Sequence, residues 1–280
     1  MNISEVKIVA DSSADILDIG GVGFGSAPLK IITDKKEYTD NASLDVKEMV
    51  DELYRYKGRS SSSCPNSGDW LEKFGEAKYV FCVTITGNLS GSYNAAGLAR
   101  DIYEEKHPDR RVYVIDSLSA GPELKLIIEK LKEYILSGMD FDSVCDAVEQ
   151  YRRGTGLLFM LESMKNLANN GRVSPITAKA AGLLGIRVIG KASDVGTLEP
   201  LDKCRGEQRS VETIIKRLRE LGYWGGKLRI AHCFNQGIAD EVRRRISSEF
   251  ANPDIEIYPS RGICSYYAEK GGILIGFEKN

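Results

Sequence analysis

Residues 80–96 read Val-Phe-Cys-Val-Thr-Ile-Thr-Gly-Asn-Leu-Ser-Gly-Ser-Tyr-Asn-Ala-Ala, and this stretch constrains the fold more than any other. Its first half is an uncharged run rich in β-branched and aromatic residues, the pattern of a strand buried on both faces, as in a parallel sheet. A turn of Gly, Asn and Ser follows, and residues 93–103 then take a helical pattern. A strand that turns through glycines and hydroxyls into a helix presents free N–H groups and the positive end of the helix dipole, which together suit an anion. Ser90 and Ser92 can add hydroxyl donors. Either serine can equally be a simple N-cap, and no Gly-Lys-Ser/Thr follows to make a nucleotide-binding P-loop.

The same alternation recurs through the first half. Strand patterns at 7–10, 28–32, 80–86 and 111–116 are interleaved with helical patterns at 44–56, 70–74, 93–103, 123–136 and 141–150. Such alternation implies a parallel sheet with helices on both faces. Asp11-Ser12-Ser13-Ala14-Asp15 follows the first strand, either as part of a site at the carboxyl edge of the sheet or as an Asp/Ser turn. Residues 60–70, Ser-Ser-Ser-Ser-Cys-Pro-Asn-Ser-Gly-Asp-Trp, read as a hydroxyl-rich loop. It flanks the same helix as the Ser90 turn, so the two can converge at one sheet edge.

From Gly154 the pattern changes. Strands are expected at 155–160, 185–191, 197–202, 227–233, 255–258 and 271–277, with helices at 164–169, 176–184, 208–221 and 236–250. The pair joined by Ser193-Asp194-Val195-Gly196 reads as a hairpin. The expected fold class is therefore α/β in two domains, 1–153 with a parallel sheet and 154–280 of α+β type.

Composition excludes several function classes. The net charge is −2, without the basic excess of a nucleic-acid protein. No apolar run reaches the length of a membrane span, and the first residues enter a strand pattern without a signal-peptide core. A cytoplasmic location is expected. The six cysteines are scattered without a Cys-x-x-Cys, so reduced thiols are expected and no metal centre. With two histidines, His107 and His232, the chain has little with which to build a catalytic triad.

Taken in order, several blocks resemble the DegV family of bacterial fatty-acid-binding proteins. They are Lys7-Ile8-Val9-Ala10-Asp11-Ser12-Ser13-Ala14-Asp15, Ser62-Ser63-Cys64-Pro65, Leu89-Ser90-Gly91-Ser92-Tyr93, Val114-Ile115-Asp116-Ser117, Asn170-Gly171-Arg172-Val173-Ser174 and Lys203-Cys204-Arg205-Gly206. The resemblance covers nearly the whole chain. It implies a long-chain fatty acid held between two domains, without a cofactor, for presentation to a separate fatty-acid kinase. The acyl chain would lie in an apolar tunnel. The carboxylate would meet Ser62 and Ser90, with Ser63, Gly91 and Ser92 nearby and Arg172 as a neighbouring cation. Without the resemblance, Arg172 reads as a surface arginine at a helix boundary. The sequence departs from the family near its end: where many members carry a His followed by Gly-Pro-Gly, Tyr267 stands in Ser265-Tyr266-Tyr267-Ala268. A tyrosine hydroxyl donates to a carboxylate while staying neutral, and Ser265 or Tyr266 could supplement it.

Two other functions are open to a chain of this kind. A hydrolase or acyltransferase would use Ser62 or Ser90 as nucleophile, but no Gly-x-Ser-x-Gly is present and no His lies near either serine in sequence. A sensor of a small anionic metabolite would need a polar pocket. Leu157, Leu158, Phe159, Met160, Leu161, Leu183 and Leu184 offer an apolar one, or are simply core.

Overall fold

The structure, a computed structural model, describes residues 1–176 and 185–279. The helix expected over 176–184 falls, beyond Ile176, outside the described residues, as do Leu183 and Leu184.

The organising strand is β6 (Tyr79–Thr84), paired in parallel on one side with β1 (Val6–Asp11) and on the other with β7 (Arg111–Asp116). An outer strand, β2 (Gly23–Ala27), pairs in parallel with β1 and completes the order β2-β1-β6-β7. Successive residues of a strand face opposite sides, so β6 must be apolar throughout. Val80 and Cys82 pack under α2 (Ser67–Phe74) and α3 (Ser92–Lys106), against Trp70, Phe74 and Ala99. Phe81 and Val83 pack under α4 (Pro122–Leu136) and α5 (Phe141–Arg153), against Leu124, Ile127 and Phe141. Helices thus cover both faces of the parallel sheet, as the alternation requires.

A second sheet has the order β10-β9-β8-β13-β11-β12. Its strands are β8 (Thr155–Leu161), β9 (Ile186–Ala192), β10 (Leu198–Arg205), β11 (Gly226–His232), β12 (Pro253–Pro259) and β13 (Ile273–Glu278). Only β11 and β12 run parallel; the other pairings are antiparallel. One face is covered by α7 (Glu207–Glu220) and α8 (Gln236–Glu249).

Helix α4 joins the two sheets, packing on β6 of the first and on β11 and β13 of the second. At Gly276 of β13 an added Cβ would stand 2.5 Å from the Pro122 carbonyl carbon and 2.6 Å from Glu123 N, so only glycine admits the start of α4 so closely. The contact is further fixed by Arg229 of β11, 6% exposed, whose guanidinium meets Glu129 of α4 at 2.8 Å.

A small antiparallel sheet, β4-β3-β5, lies to one side, formed by β3 (Lys30–Ile32), β4 (Glu37–Thr39) and β5 (Ser61–Ser63). With α1 (Val46–Arg55) it shares one apolar cluster with Phe159, Leu161 and residues of α6 (Lys165–Asn169) and α9 (Gly262–Ala268). Residues of both halves of the chain therefore share this cluster. Several elements differ from expectation. The strand expected at 28–32 pairs in this antiparallel sheet and takes no part in the parallel one. Residues 61–63 are a strand and not a loop, Gly23–Ala27 is a strand, and 262–268 is a helix. All six cysteines are unpaired. No described helix is long and apolar enough to cross a membrane.

Candidate functional site

The turn after β6 is held from beneath by one carboxylate. Asp11, at the end of β1, is 1% exposed and accepts from Ser13 N, Ser13 Oγ, Ile85 N (2.8 Å) and Ser92 Oγ (2.6 Å). It thereby ties the ends of β1 and β6 to the first residue of α3. Burial pushes its carboxyl pKa up, against the opposing pull of these hydrogen bonds. Above it, Ser90 Oγ accepts from Ser92 N at 3.3 Å. Helix α3 has no side-chain cap from its N-cap residue Gly91 and no acidic residue in its first turn. An added Cβ on Gly91 would come 3.1 Å from Cys64 Sγ, which marks how closely the two serine segments approach.

Ser62 and Ser63 lie on β5, placed by pairing with Ile31 and Lys30 of β3. Ser62 Oγ is 2.6 Å from Tyr267 Oη, a contact across 205 residues of sequence. Tyr267 sits on α9, whose first N–H groups are held by the buried Asp40: Gly262 N and Ile263 N donate to its carboxylate at 3.0 and 2.9 Å. Burial pushes the Tyr267 phenol pKa up, with Ser62 and Arg172 opposing, so the hydroxyl is a neutral donor at neutral pH. Arg172 Nε donates to Leu89 O at 3.1 Å, and the guanidinium also donates to Asn170 O, which brings the cation beside the Ser90 turn.

These groups line a cavity of about 270 Å³ whose walls come from both halves of the chain. Ser62, Ser63, Ser90, Gly91, Arg172 and Tyr267 all line it, together with Cys64 and Ser13. The remaining wall is apolar and includes Leu29, Ile85, Leu157, Phe159, Leu161 and Leu274. Strand alternation sorts the run 157–161: Leu157, Phe159 and Leu161 face the cavity, whereas Leu158 and Met160 face the core under α7 and α8.

Three expectations are corrected. Ser92 does not line the cavity; it is fully buried and its hydroxyl is committed to Asp11. Ser265 does not line it either, since its Oγ pairs with Ser260 at 2.7 Å. Tyr266 is 2% exposed and supports the site from behind through Ser60 Oγ and Asn170 Nδ2, both at 2.9 Å. Asp11 and Asp40 anchor the site from beneath through contacts distant in sequence. The place of Asp11 at a strand end marks it as a site candidate in the sequence, whereas nothing local marks Asp40. Neither histidine lines this cavity.

The geometry can therefore hold a long apolar chain whose one anionic end meets neutral hydroxyls, a helix N-terminus and one arginine. Comparison with known proteins gives a consistent picture. The family profile described as "Uncharacterised protein, DegV family" matches residues 5–280. A DegV domain-containing protein of Streptococcus pneumoniae is 44% identical over 276 residues, covering 97% of this chain and 98% of the relative. A DegV family protein from Eubacterium eligens, solved loaded with heptadecanoic acid, superimposes with a TM-score of 0.97 at 44% identity, covering 98% of this chain and all of that one. The Streptococcus pneumoniae Fatty Acid Kinase (Fak) B3 protein, solved loaded with linoleic acid, gives a TM-score of 0.96 at 43% identity, covering 98% and 99% of the two chains. The chain belongs to the DegV family.

Proposed function

We propose that this protein binds a long-chain fatty acid non-covalently and presents it to a separate fatty-acid kinase. The acyl chain lies in the cavity between the two halves, 1–153 and 154–280. Its carboxylate lies at Ser62, Ser63, Ser90 and Gly91, with Arg172 and Tyr267 beside it. The observation that carries this reading is the cavity itself: its wall is mostly apolar, and it is lined as well by the hydroxyls of Ser62, Ser63, Ser90 and Tyr267 and by Gly91 at the start of α3. The fatty acids in the Eubacterium eligens and Streptococcus pneumoniae relatives support it. The protein then acts as a carrier in the cytoplasm and not as a catalyst. Burial of methylenes supplies the affinity, at about 0.8 kcal/mol each, and a chain of about fifteen gives roughly 12 kcal/mol before association costs. A calorimetric titration of the delipidated protein with saturated acids of increasing length tests this. Kd should fall about fourfold per methylene until the cavity is full. An affinity independent of chain length would overturn the reading.

A further inference from the structure

Part of the polar wall of the acyl cavity is only one side chain thick. Ser62 and Arg172 line the cavity on one side and, on the other, a cleft of about 690 Å³ that opens to the surface. Both residues are partly exposed. The partition they form is held by the contact of Ser62 Oγ with Tyr267 Oη and by the donation of Arg172 to Leu89 O and Asn170 O.

Two segments remote in sequence make the cleft. One side is residues 32–34, at the end of β3, with residues 59–62 leading into β5; the other is residues 168–172, where α6 ends. Asn170 fixes the second side from behind, since its Nδ2 donates to Asn166 O at 2.8 Å and to Tyr266 Oη at 2.9 Å. Arg59 bridges the two sides by donating from Nη2 to Asn169 O at 3.1 Å. That contact engages one of its five N–H donors, and the residue is exposed.

The cleft differs in chemistry from the cavity behind it. Its lining is mostly serine, asparagine and the two arginines. Arg59 and Arg172 give their hydrogen bonds to backbone carbonyls, and neither is paired with a carboxylate among the described residues. The single carboxylate in the lining, Asp34, accepts from Tyr56 Oη at 2.5 Å. Two arginines against one aspartate leave the cleft positive. A guanidinium fork with free donors matches the oxygens of a phosphate, which it meets through two parallel hydrogen bonds.

A fatty acid offers a kinase one nucleophile, its carboxylate. An oxygen of that carboxylate attacks the terminal phosphorus of a nucleoside triphosphate. The new O–P bond forms as the bridging P–O bond breaks, and the nucleoside diphosphate leaves with that electron pair. The product is an acyl phosphate, one negative charge richer than the acid and longer by one phosphoryl group. With the carboxylate on Ser62 and Arg172, the apolar cavity lies on one side of the reacting oxygen and the cleft on the other.

We propose that this cleft is the phosphoryl site of the carrier. It admits the terminal phosphate of the nucleotide and then holds the phosphoryl group of the acyl phosphate, with Arg59 and Arg172 on its oxygens. Arg59 thereby distinguishes product from substrate, because the free acid stops at Ser62 and Arg172. The inference rests on the carrier reading above.

The test uses the phosphonate analogue of palmitoyl phosphate, in which a methylene replaces the bridging oxygen, beside palmitic acid itself. Both are titrated calorimetrically into the delipidated protein. The analogue should bind about tenfold more tightly than the acid. Arg59→Gln should weaken the analogue about tenfold and change palmitic acid by less than twofold. Arg59→Lys, which keeps the charge and loses the fork, should weaken the analogue by about threefold only. An analogue bound more than tenfold more weakly than the acid would overturn the proposal, since the cleft then has no place for the phosphoryl group. So would an analogue affinity untouched by Arg59→Gln, or an equal loss for both ligands, which means that Arg59 only braces the wall. Palmitic acid that fails to bind the parent protein would overturn the carrier reading as well, and that outcome is separate from the other three.

Discussion

Replacing Ser62 by alanine separates the energy of the head group from that of the chain. Ser62 Oγ and Tyr267 Oη satisfy each other at 2.6 Å. A carboxylate placed between them accepts from both. A hydrogen bond to a charged acceptor contributes about 1.5–3 kcal/mol. The loss in Ser62→Ala lies at the low end, because the substitution also strands the half-buried Tyr267 hydroxyl in the ligand-free protein and so raises the energy of the unbound state. About 1.4 kcal/mol, or tenfold in Kd, is expected. Tyr267→Phe strands Ser62 instead, which is likewise half-buried, so a similar loss of about tenfold is expected. Ser90 lies on a different segment, so Ser62→Ala and Ser90→Ala should combine to about a hundredfold. Calorimetry with palmitic acid measures these losses, and hexadecanol provides the control. The alcohol carries no charge, so its affinity should change less than about threefold in the double variant. Unchanged binding of palmitic acid by that variant, or an equal loss for hexadecanol, would refute the assignment of the head group to these hydroxyls.

Asp11→Ala should leave four donors unsatisfied beneath the Ser90 turn and lower the melting temperature by roughly 10 °C in differential scanning calorimetry. Gly276→Ala should cost about 3 kcal/mol in urea unfolding, because its Cβ meets backbone of α4. Gly97→Ala, in α3 with nothing within 4 Å, should instead stabilise by about 0.5–1 kcal/mol. Burial pushes the Asp15 carboxyl up to about 8, with backbone donation from Arg261 opposing. The folded protein therefore keeps a proton that the unfolded chain releases near pH 4. This stability is complete at acid pH and is lost as pH rises from about 4 to about 8, by at most about 1.4 kcal/mol per unit. Asp15→Asn should gain stability relative to the parent between pH 5 and 7.5 in paired urea titrations, and parallel curves would refute the linkage.

The parts of the fold legible in sequence are those with a local cause. The uncharged run 80–84 had to be a strand buried on both faces, and the alternation of strands and helices had to give a parallel sheet. Residues 61–63 were not legible as a strand because three serines carry little β-preference; pairing with β3 makes the strand. Gly23–Ala27 was missed because its glycines pack little, and its conformation comes from β1. The helix at 262–268 is short and depends on Asp40, 222 residues away, for its first N–H groups. The site shows the same division. Ser62, Ser90 and Arg172 stand in recognisable blocks. The commitment of Ser92 to Asp11 is decided by an acceptor 81 residues away, and no pattern around the serine reveals it.

The most direct test of the central claim is native mass spectrometry of the purified protein, followed by organic extraction and lipid analysis. The account predicts one long-chain fatty acid per chain, carried by the parent protein and lost from the Ser62→Ala, Ser90→Ala variant. A protein that emerges empty and takes up none of a panel of saturated and unsaturated fatty acids would contradict it.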